Sequence, residues 1–259
     1  MPNAFDSPRR KIQWAQHHLI KVKRIISHFH RQKNLYELFS EPDPNIPQRQ
    51  IHKMRFAKQP PWFLDDTVSD VVSNLRAALD HAVYAVSTAA GNRSKGVRKA
   101  TFPFAYTEDY FESSLRRNCK DVPPEIHPLI RGYKPYKGGE NTLWALNAVR
   151  GTNEHALVVP AASVIYAGPS NFSSVGGFVS MPYAWTWDRT KNEMELFTIG
   201  PGAKLQCDLK FACAVEFGEI EAVAGQAVIP TLDLFAEMVA TIVNEIEAET
   251  RRLGFNADL

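Results

Sequence analysis

The chain has 259 residues, of which 44% are hydrophobic, and its formal net charge is +2. This apolar fraction excludes a disordered chain and suits one large domain, or one domain with an appendage. The three cysteines form no CxxC pair, which argues against a disulfide framework or a zinc cluster and favours a reducing compartment, by default the cytoplasm. No apolar signal core and no run of about 18 uncharged apolar residues is present, so we expect no membrane partner.

The first predicted element is a helix over residues 8–39. Its apolar residues recur at alternating spacings of three and four, and this seam is expected to pack on another helix, in the same chain or in a second copy. The seam consists of Ile12, Ala15, Leu19, Val22, Ile26 and Phe29. No acidic residue lies between Ser7 and Tyr36, and the segment is otherwise basic. Such a helix either lies on nucleic acid or faces an acidic neighbour.

The pattern after residue 40 predicts an α+β fold. A short strand is expected near residues 51–56, and helices are expected at 66–90, 107–119 and 141–155. From residue 156 the apolar period changes to two, which predicts an antiparallel sheet. Its expected parts are a hairpin around the turn at 189–192 and one long strand over residues 204–217.

A closing helix is predicted after the sheet, with Thr231 as its N-cap. This last helix is rich in acids, which favours an ion-paired account of the basic first helix. We therefore predict a mainly helical portion over residues 1–155, and an antiparallel sheet with a C-terminal helix over residues 156–259. Together they are expected to form one compact unit.

The helix at 66–90 carries an unusual set of polar residues: Asn74, Arg76, Asp80 and His81. Arg76 and Asp80 are four residues apart, so they share a helix face and are predicted to form an ion pair. Arg76 and His81 are separated by about 140° around the helix axis. They can act together only if another helix or a second copy brings them together.

The segment LRAALDH at residues 75–81, followed by TFPF, by KPY and by NTLWALNAVRGTNEH, resembles an uncharacterised family of bacterial proteins. The spacing of Arg76 and His81 also resembles the R-x4-6-H motif of HEPN domains, many of which are metal-independent ribonucleases of toxin and antiphage systems. The resemblance implies that Arg76 steadies the scissile phosphate and that His81 transfers protons, with Asp80 and Asn74 orienting them. It also implies a homodimer and an RNA substrate, with no metal and no cofactor.

His155 is the fifth candidate catalytic residue. The bacterial family has an Asp-Lys-His-Arg run where this chain has Asn153, Glu154, His155 and Ala156. The histidine is retained, but both basic positions are lost, which moves a phosphate contact to Arg150 or Lys134. We hypothesise that His155 lies near Arg76, Asp80 or His81.

Two other classes of function remain open at this point. In the first, Arg76 and Asp80 form a purely structural pair, and the chain is a non-catalytic binding or assembly protein. In the second, the chain is a small-molecule enzyme with a pocket between the helices and the sheet. The sequence contains neither a GxSxG nor an HExxH motif, so it offers no established hydrolase site.

Overall fold

The computed structural model describes residues 3–91, 100–151, 158–161, 169–188, 190–209, 212–218 and 220–255. The described residues contain helices and antiparallel strands, and the predicted α+β class is confirmed. The helices are α1 (Asp6–His30), α2 (Phe63–Ala89), α3 (Glu108–Asn118), α4 (His127–Gly132), α5 (Asn141–Gly151) and α6 (Val228–Arg252). The strands are β1 (Tyr36–Pro42), β2 (Gln50–Phe56), β3 (Val158–Ala161), β4 (Pro169–Val175), β5 (Val179–Ser180), β6 (Trp187–Asp188), β7 (Glu193–Ile199), β8 (Lys204–Leu209) and β9 (Ala214–Phe217).

The chain divides into two compact units. The first, the helical unit, consists of Met1–Lys23, Phe63–Leu157 and Phe217–Leu259. The second, the strand unit, consists of Arg24–Trp62 and Val158–Glu216. The boundary predicted near residue 155 follows the change from helix to strand along the chain, whereas each of these units is assembled from separate stretches. None of the described helices is both long enough and apolar enough to cross a membrane.

Helix α1 is shorter than predicted. It ends at His30, and strand β1 begins at Tyr36, where the sequence pattern extended the helix to residue 39. Asn34 has a φ of 55°, in the left-handed region that interrupts a right-handed helix. Beyond it, Leu38 pairs with Met54 in an antiparallel ladder, so strand pairing overrides the local helical pattern.

Within the helical unit, α1 runs antiparallel to both α2 and α6. Lys11 reaches Asn74 on α2, while the side chains of Arg9 and Lys23 pair with Glu247 and Asp233 on α6. The prediction that an acidic last helix neutralises part of the basic first helix is therefore confirmed. All six residues of the apolar seam of α1 are buried within the single chain.

The core of the helical unit is centred on α2. Its predicted apolar face is buried, and α2 packs on α6 and α5. The predicted helices at 66–90, 107–119 and 141–155 correspond to α2, α3 and α5, and the last four residues predicted for α5 lie outside the described residues.

Thr231 was a wrong choice of N-cap, because α6 begins at Val228. The Thr231 hydroxyl instead donates to the carbonyl of Ala227 at 2.9 Å, inside the first turn.

The strand unit contains an antiparallel sheet in the order β1-β2-β7-β5, with β6 also paired to β7. The strand expected near residues 51–56 is β2, and the hairpin expected around residues 189–192 joins β6 to β7. The long strand expected over 204–217 is wrong. It is divided into β8, which pairs with β4, and β9, which pairs with β3. Alternating side chains are compatible with either arrangement, so only the pairing partners distinguish them.

Replacing Leu19 by alanine tests the burial of the α1 seam. Leu19 is 5% exposed, and its truncation should lower the free energy of unfolding by about 2–5 kcal/mol. The neighbouring Ile20 is 51% exposed, and Ile20→Ala should change this free energy by no more than about 0.5 kcal/mol. Urea unfolding at two protein concentrations measures both. Equal losses for the two variants, or a Leu19 loss that depends on protein concentration, would contradict burial within one chain.

Candidate functional site

A cleft of about 650 Å³ opens in the helical unit between the N-terminus of α1 and the C-terminal half of α2. This volume lies within the range of pockets that hold small organic ligands or a single nucleotide. The residues that line it come from three separate segments of the chain. They are Asn3, Ala4, Asp6, Ser7, Arg10, Asp80, His81, Tyr84, Ala85, Thr88, Ala100 and Thr101.

Ser7 and His81 form a hydrogen-bonded pair at the wall of this cleft. The Ser7 hydroxyl oxygen and Nδ1 of the His81 imidazole are 2.8 Å apart, although the residues are 74 positions apart in sequence. When the ring carries its proton on Nδ1, Nδ1 donates to the Ser7 oxygen and Nε2 is free to accept a proton. Burial lowers the pKa of His81, and the nearby Lys11 ammonium lowers it further, against an opposing effect of Asp80. The neutral imidazole is therefore favoured near neutral pH, as a proton acceptor requires.

Local hydrogen bonds order the segment that leads into α1, just before Ser7. Asn3 accepts the backbone N–H of Phe5 at 2.8 Å, and Asp6 accepts the backbone N–H of Asn3 at 2.9 Å. These two bonds occupy the backbone donors of Asn3 and Phe5 immediately before α1. The first turn of α1 is thus fixed, and Phe5 is fully buried beneath it.

Arg76 and Asp80 form the predicted ion pair, and together they clamp the backbone of Phe102. The Asp80 carboxylate pairs with the Arg76 guanidinium and also accepts the backbone N–H of Phe102 at 2.9 Å. The guanidinium donates in turn to the carbonyl of Phe102 at 3.3 Å. Because Ala100 and Thr101 directly precede this clamped residue, the clamp positions one wall of the cleft.

The Arg76 side chain is otherwise enclosed. It is 7% exposed, stacks over the ring of Phe104 at 4.3 Å and donates to Asn147 at 3.3 Å. Burial lowers the pKa of Arg76, and the Asp80 carboxylate opposes this effect. The described lining of the cleft includes Asp80 and His81 but not Arg76.

Asn74, which was predicted to orient the site, lies two helical turns from His81. Its side-chain amide donates to the backbone carbonyl of Asp70 at 2.8 Å, and its oxygen accepts from Lys11 at 3.4 Å. Lys11 therefore links the two residues indirectly, because it is held by Asn74 and it also lowers the pKa of His81.

His155 lies outside the described residues, so its predicted proximity to Arg76 stays a prediction. Arg150, one of the two alternative phosphate contacts, is exposed in the last turn of α5. Its charge lowers the pKa of Arg76, so the two guanidinium groups are close enough to repel each other. Lys134, the other alternative, is exposed and has a φ of 46°.

Sequence reasoning did not assign Ser7, Arg10 or Tyr84 to the candidate site. Arg10 was recognised only as one of many basic residues, and Ser7 and Tyr84 were not singled out. Tyr84 follows His81 by three positions and lies on the same helix face, so helical spacing alone could have included it. Ser7 carries no such signal, because only the packing of α1 on α2 brings it to His81.

Within the described part of the chain, no group of three or more His, Cys, Asp or Glu residues is arranged to hold a metal ion. No model of a protein family matches this chain, and neither a curated protein nor a solved structure gives a match.

The clamp predicts a large stability effect of Arg76. Replacing Arg76 by alanine should lower the free energy of unfolding by about 3–5 kcal/mol, because the half-buried Asp80 carboxylate loses its counter-charge and the Phe102 carbonyl loses its donor. Arg117→Ala is the matched control, since Arg117 is exposed on α3 and should change this free energy by no more than about 0.5 kcal/mol. Denaturant unfolding measures both variants. An Arg76→Ala loss below about 1 kcal/mol would contradict the clamp.

The environment of His81 predicts its titration. By NMR, its imidazole should titrate with a midpoint below the ordinary value of 6.5, and Lys11→Ala should raise that midpoint. Lys21→Ala, which removes an equal charge elsewhere on α1, should leave it unchanged. Because the folded pKa is depressed, the stabilisation from His81 is present above pH 6.5 and is lost as pH falls through the lower folded value. A midpoint at or above 6.5 would contradict this environment.

Proposed function

We propose that this protein binds RNA at the cleft and cleaves it without a metal ion, with His81 as the group that transfers the proton. The observation that carries this proposal is the 2.8 Å contact between Ser7 and the His81 imidazole at the wall of the cleft. A half-buried imidazole with a lowered pKa supports the role of general base. The resemblance of Arg76 and His81 to the HEPN motif supports the same class of reaction.

The reaction we propose is an internal transfer within the RNA strand. With Nδ1 donating to the Ser7 oxygen, Nε2 of the neutral His81 imidazole removes the proton of a ribose 2′-hydroxyl, and the 2′-oxygen attacks the adjacent phosphorus. The bond from phosphorus to the 5′-oxygen breaks, and the departing oxygen takes a proton from solvent. The products are a 2′,3′-cyclic phosphate and a free 5′-hydroxyl, so the substrate must carry a 2′-hydroxyl at the cleaved position.

The structure favours a different division of roles from the one that the motif implies. Arg76 is buried and fully engaged by Asp80 and Phe102, so we propose that Arg76 and Asp80 are positioning residues. Arg10 is exposed and lines the cleft, and we assign the phosphate contact to it. Asn74 orients Lys11, and an assisting role for His155 belongs to the same proposal.

By resemblance to HEPN proteins, we also propose that the protein is a homodimer. We propose that it acts in the cytoplasm, in a toxin or antiphage system. The α1 seam is buried inside one chain, so a second copy would have to use another surface. Light scattering after size-exclusion chromatography tests this part directly. A particle with twice the mass of one chain is expected.

A second candidate is a small-molecule enzyme or binding protein, which the lining of the cleft favours. Three alanines, Ala4, Ala85 and Ala100, and the ring of Tyr84 form apolar walls around the polar groups. Such walls suit a compact, partly apolar ligand as well as a nucleotide base. Saturable binding of a mononucleotide or another small molecule, without any cleavage of RNA, would favour this candidate.

Replacing His81 tests the proposed activity. His81→Asn should reduce cleavage of single-stranded RNA in the presence of a chelator by at least about 100-fold, the usual contribution of a proton-transfer group. Wild-type cleavage should fall as the pH drops below the pKa of His81. A substrate with a 2′-deoxy sugar at the cleaved position should remain intact.

His28→Asn is the matched control, since His28 is exposed on α1 and is not part of the cleft lining. It should retain wild-type cleavage. Cleavage that survives His81→Asn, or that disappears with the chelator, would overturn the proposal.

A further inference from the structure

One face of α1 carries an exposed stripe of basic and aromatic side chains. Counting from the cleft, the stripe consists of Arg10, Trp14, His17 and Lys21. Each of the four is exposed, and the large Trp14 side chain retains 53% of its accessible surface. The alternating spacings of four and three residues keep all of them on one side of the helix.

The stripe lies opposite the buried seam. At 100° per residue, its four members fall within about 60° of one another around the axis, and the centre of the seam lies roughly 140° away. The residues that contact α2 and those that contact α6 occupy the two flanks between seam and stripe, as Lys11 and Arg9 illustrate. Packing of the helix in its own unit therefore fixes which residues face outward.

The stripe is not neutralised by the neighbouring acids. Arg9 and Lys23, on the flank, pair with Glu247 and Asp233. Among the described residues, neither Arg10 nor Lys21 forms a salt bridge, and α1 contains no acid after Asp6. The acidic helix thus accounts for only part of the charge on α1, and a positive outer face remains.

Trp14 gives this face a second property besides charge. Its ring meets the imidazole of His17 edge-on, with centroids 5.6 Å apart, which leaves an aromatic surface between two cations. Sites for single-stranded nucleic acid combine these two features, because cations follow the phosphates while exposed bases stack on rings. A base-paired duplex would offer no free base face to Trp14.

We propose that the outer face of α1 holds single-stranded RNA and guides it into the cleft. This inference rests on the proposed function and names the form of its substrate. Arg10 belongs to both the stripe and the cleft lining, so the two surfaces are continuous. Lys21 lies about 17 Å from Arg10 along the helix axis. That length corresponds to about five nucleotides at the 3.4 Å rise of a stacked strand.

The double variant Trp14→Ala/Lys21→Ala tests the stripe and leaves the cleft intact. Fluorescence anisotropy would measure its binding to labelled RNA of two and of twelve nucleotides, in a chelator and with the His81→Asn background to prevent cleavage. Affinity for the twelve-nucleotide RNA should fall at least about tenfold, through lost stacking and one lost phosphate contact. The slope of log affinity against log salt should decrease by about 0.7. Binding of the dinucleotide should not change.

Arg117→Ala/Lys120→Ala is the matched control, because both residues are exposed in the same unit and lie off the stripe. It should bind both RNAs as the His81→Asn parent does. Three results would contradict the proposed role of the stripe. They are equal losses of RNA affinity for the two double variants, an equal loss of affinity for the dinucleotide, or tighter binding of a duplex of the same sequence. If the stripe variant binds RNA as its parent does, but short RNA is still cleaved in a His81-dependent way, the proposed function stands without this inference. If RNA binds the stripe but is never cleaved, the proposed function fails and this inference stands.

Discussion

The antiparallel packing of α1 on α2 and α6 is the constraint on which the candidate site depends. It places Ser7 against His81, although nothing in the local sequence joins them. It also sets Lys11 beside Asn74, which holds an ammonium group near the imidazole. Since a helix has a fixed angular period, burying the apolar seam leaves the opposite face exposed. One packing arrangement therefore determines the hydrogen-bonded pair, its pKa environment and the outer basic face.

The polar residues of α2 divide into two groups with different physical roles. Arg76 and Asp80 satisfy the carbonyl and the backbone N–H of Phe102, and the burial of Arg76 makes the pair costly to disturb. His81, one residue further along the chain, points toward the cleft and keeps a half-exposed imidazole. This division reconciles two interpretations of the motif. In our proposal Arg76 is a positioning residue, and His81 transfers the proton.

Local sequence predicted much of the fold, because the spacing of apolar residues within a short segment distinguishes a helix from a strand. The ion pair of Arg76 with Asp80 and the helix at 66–90 followed from spacing alone. The end of α1 did not, because strand pairing with β2 decides it. The division of the predicted strand into β8 and β9 also depends on distant partners. Ser7 was missed for the same reason. The pairing of α1 with α6 was predicted because the sequence itself shows that the first helix is basic and the last is acidic.

The most direct test of the α1 packing is a photo-crosslink from a benzoyl-phenylalanine placed at position 11, read by mass spectrometry. Lys11 faces Asn74, so the probe should crosslink to the α2 peptide that contains Asn74. The same probe at position 14, on the outer face, should not reach that peptide. In a mixture of light and heavy isotope chains, the crosslinks should join only peptides of the same isotope. Crosslinks from position 11 to other elements, or light-to-heavy pairs, would contradict the packing of α1 on α2 within one chain.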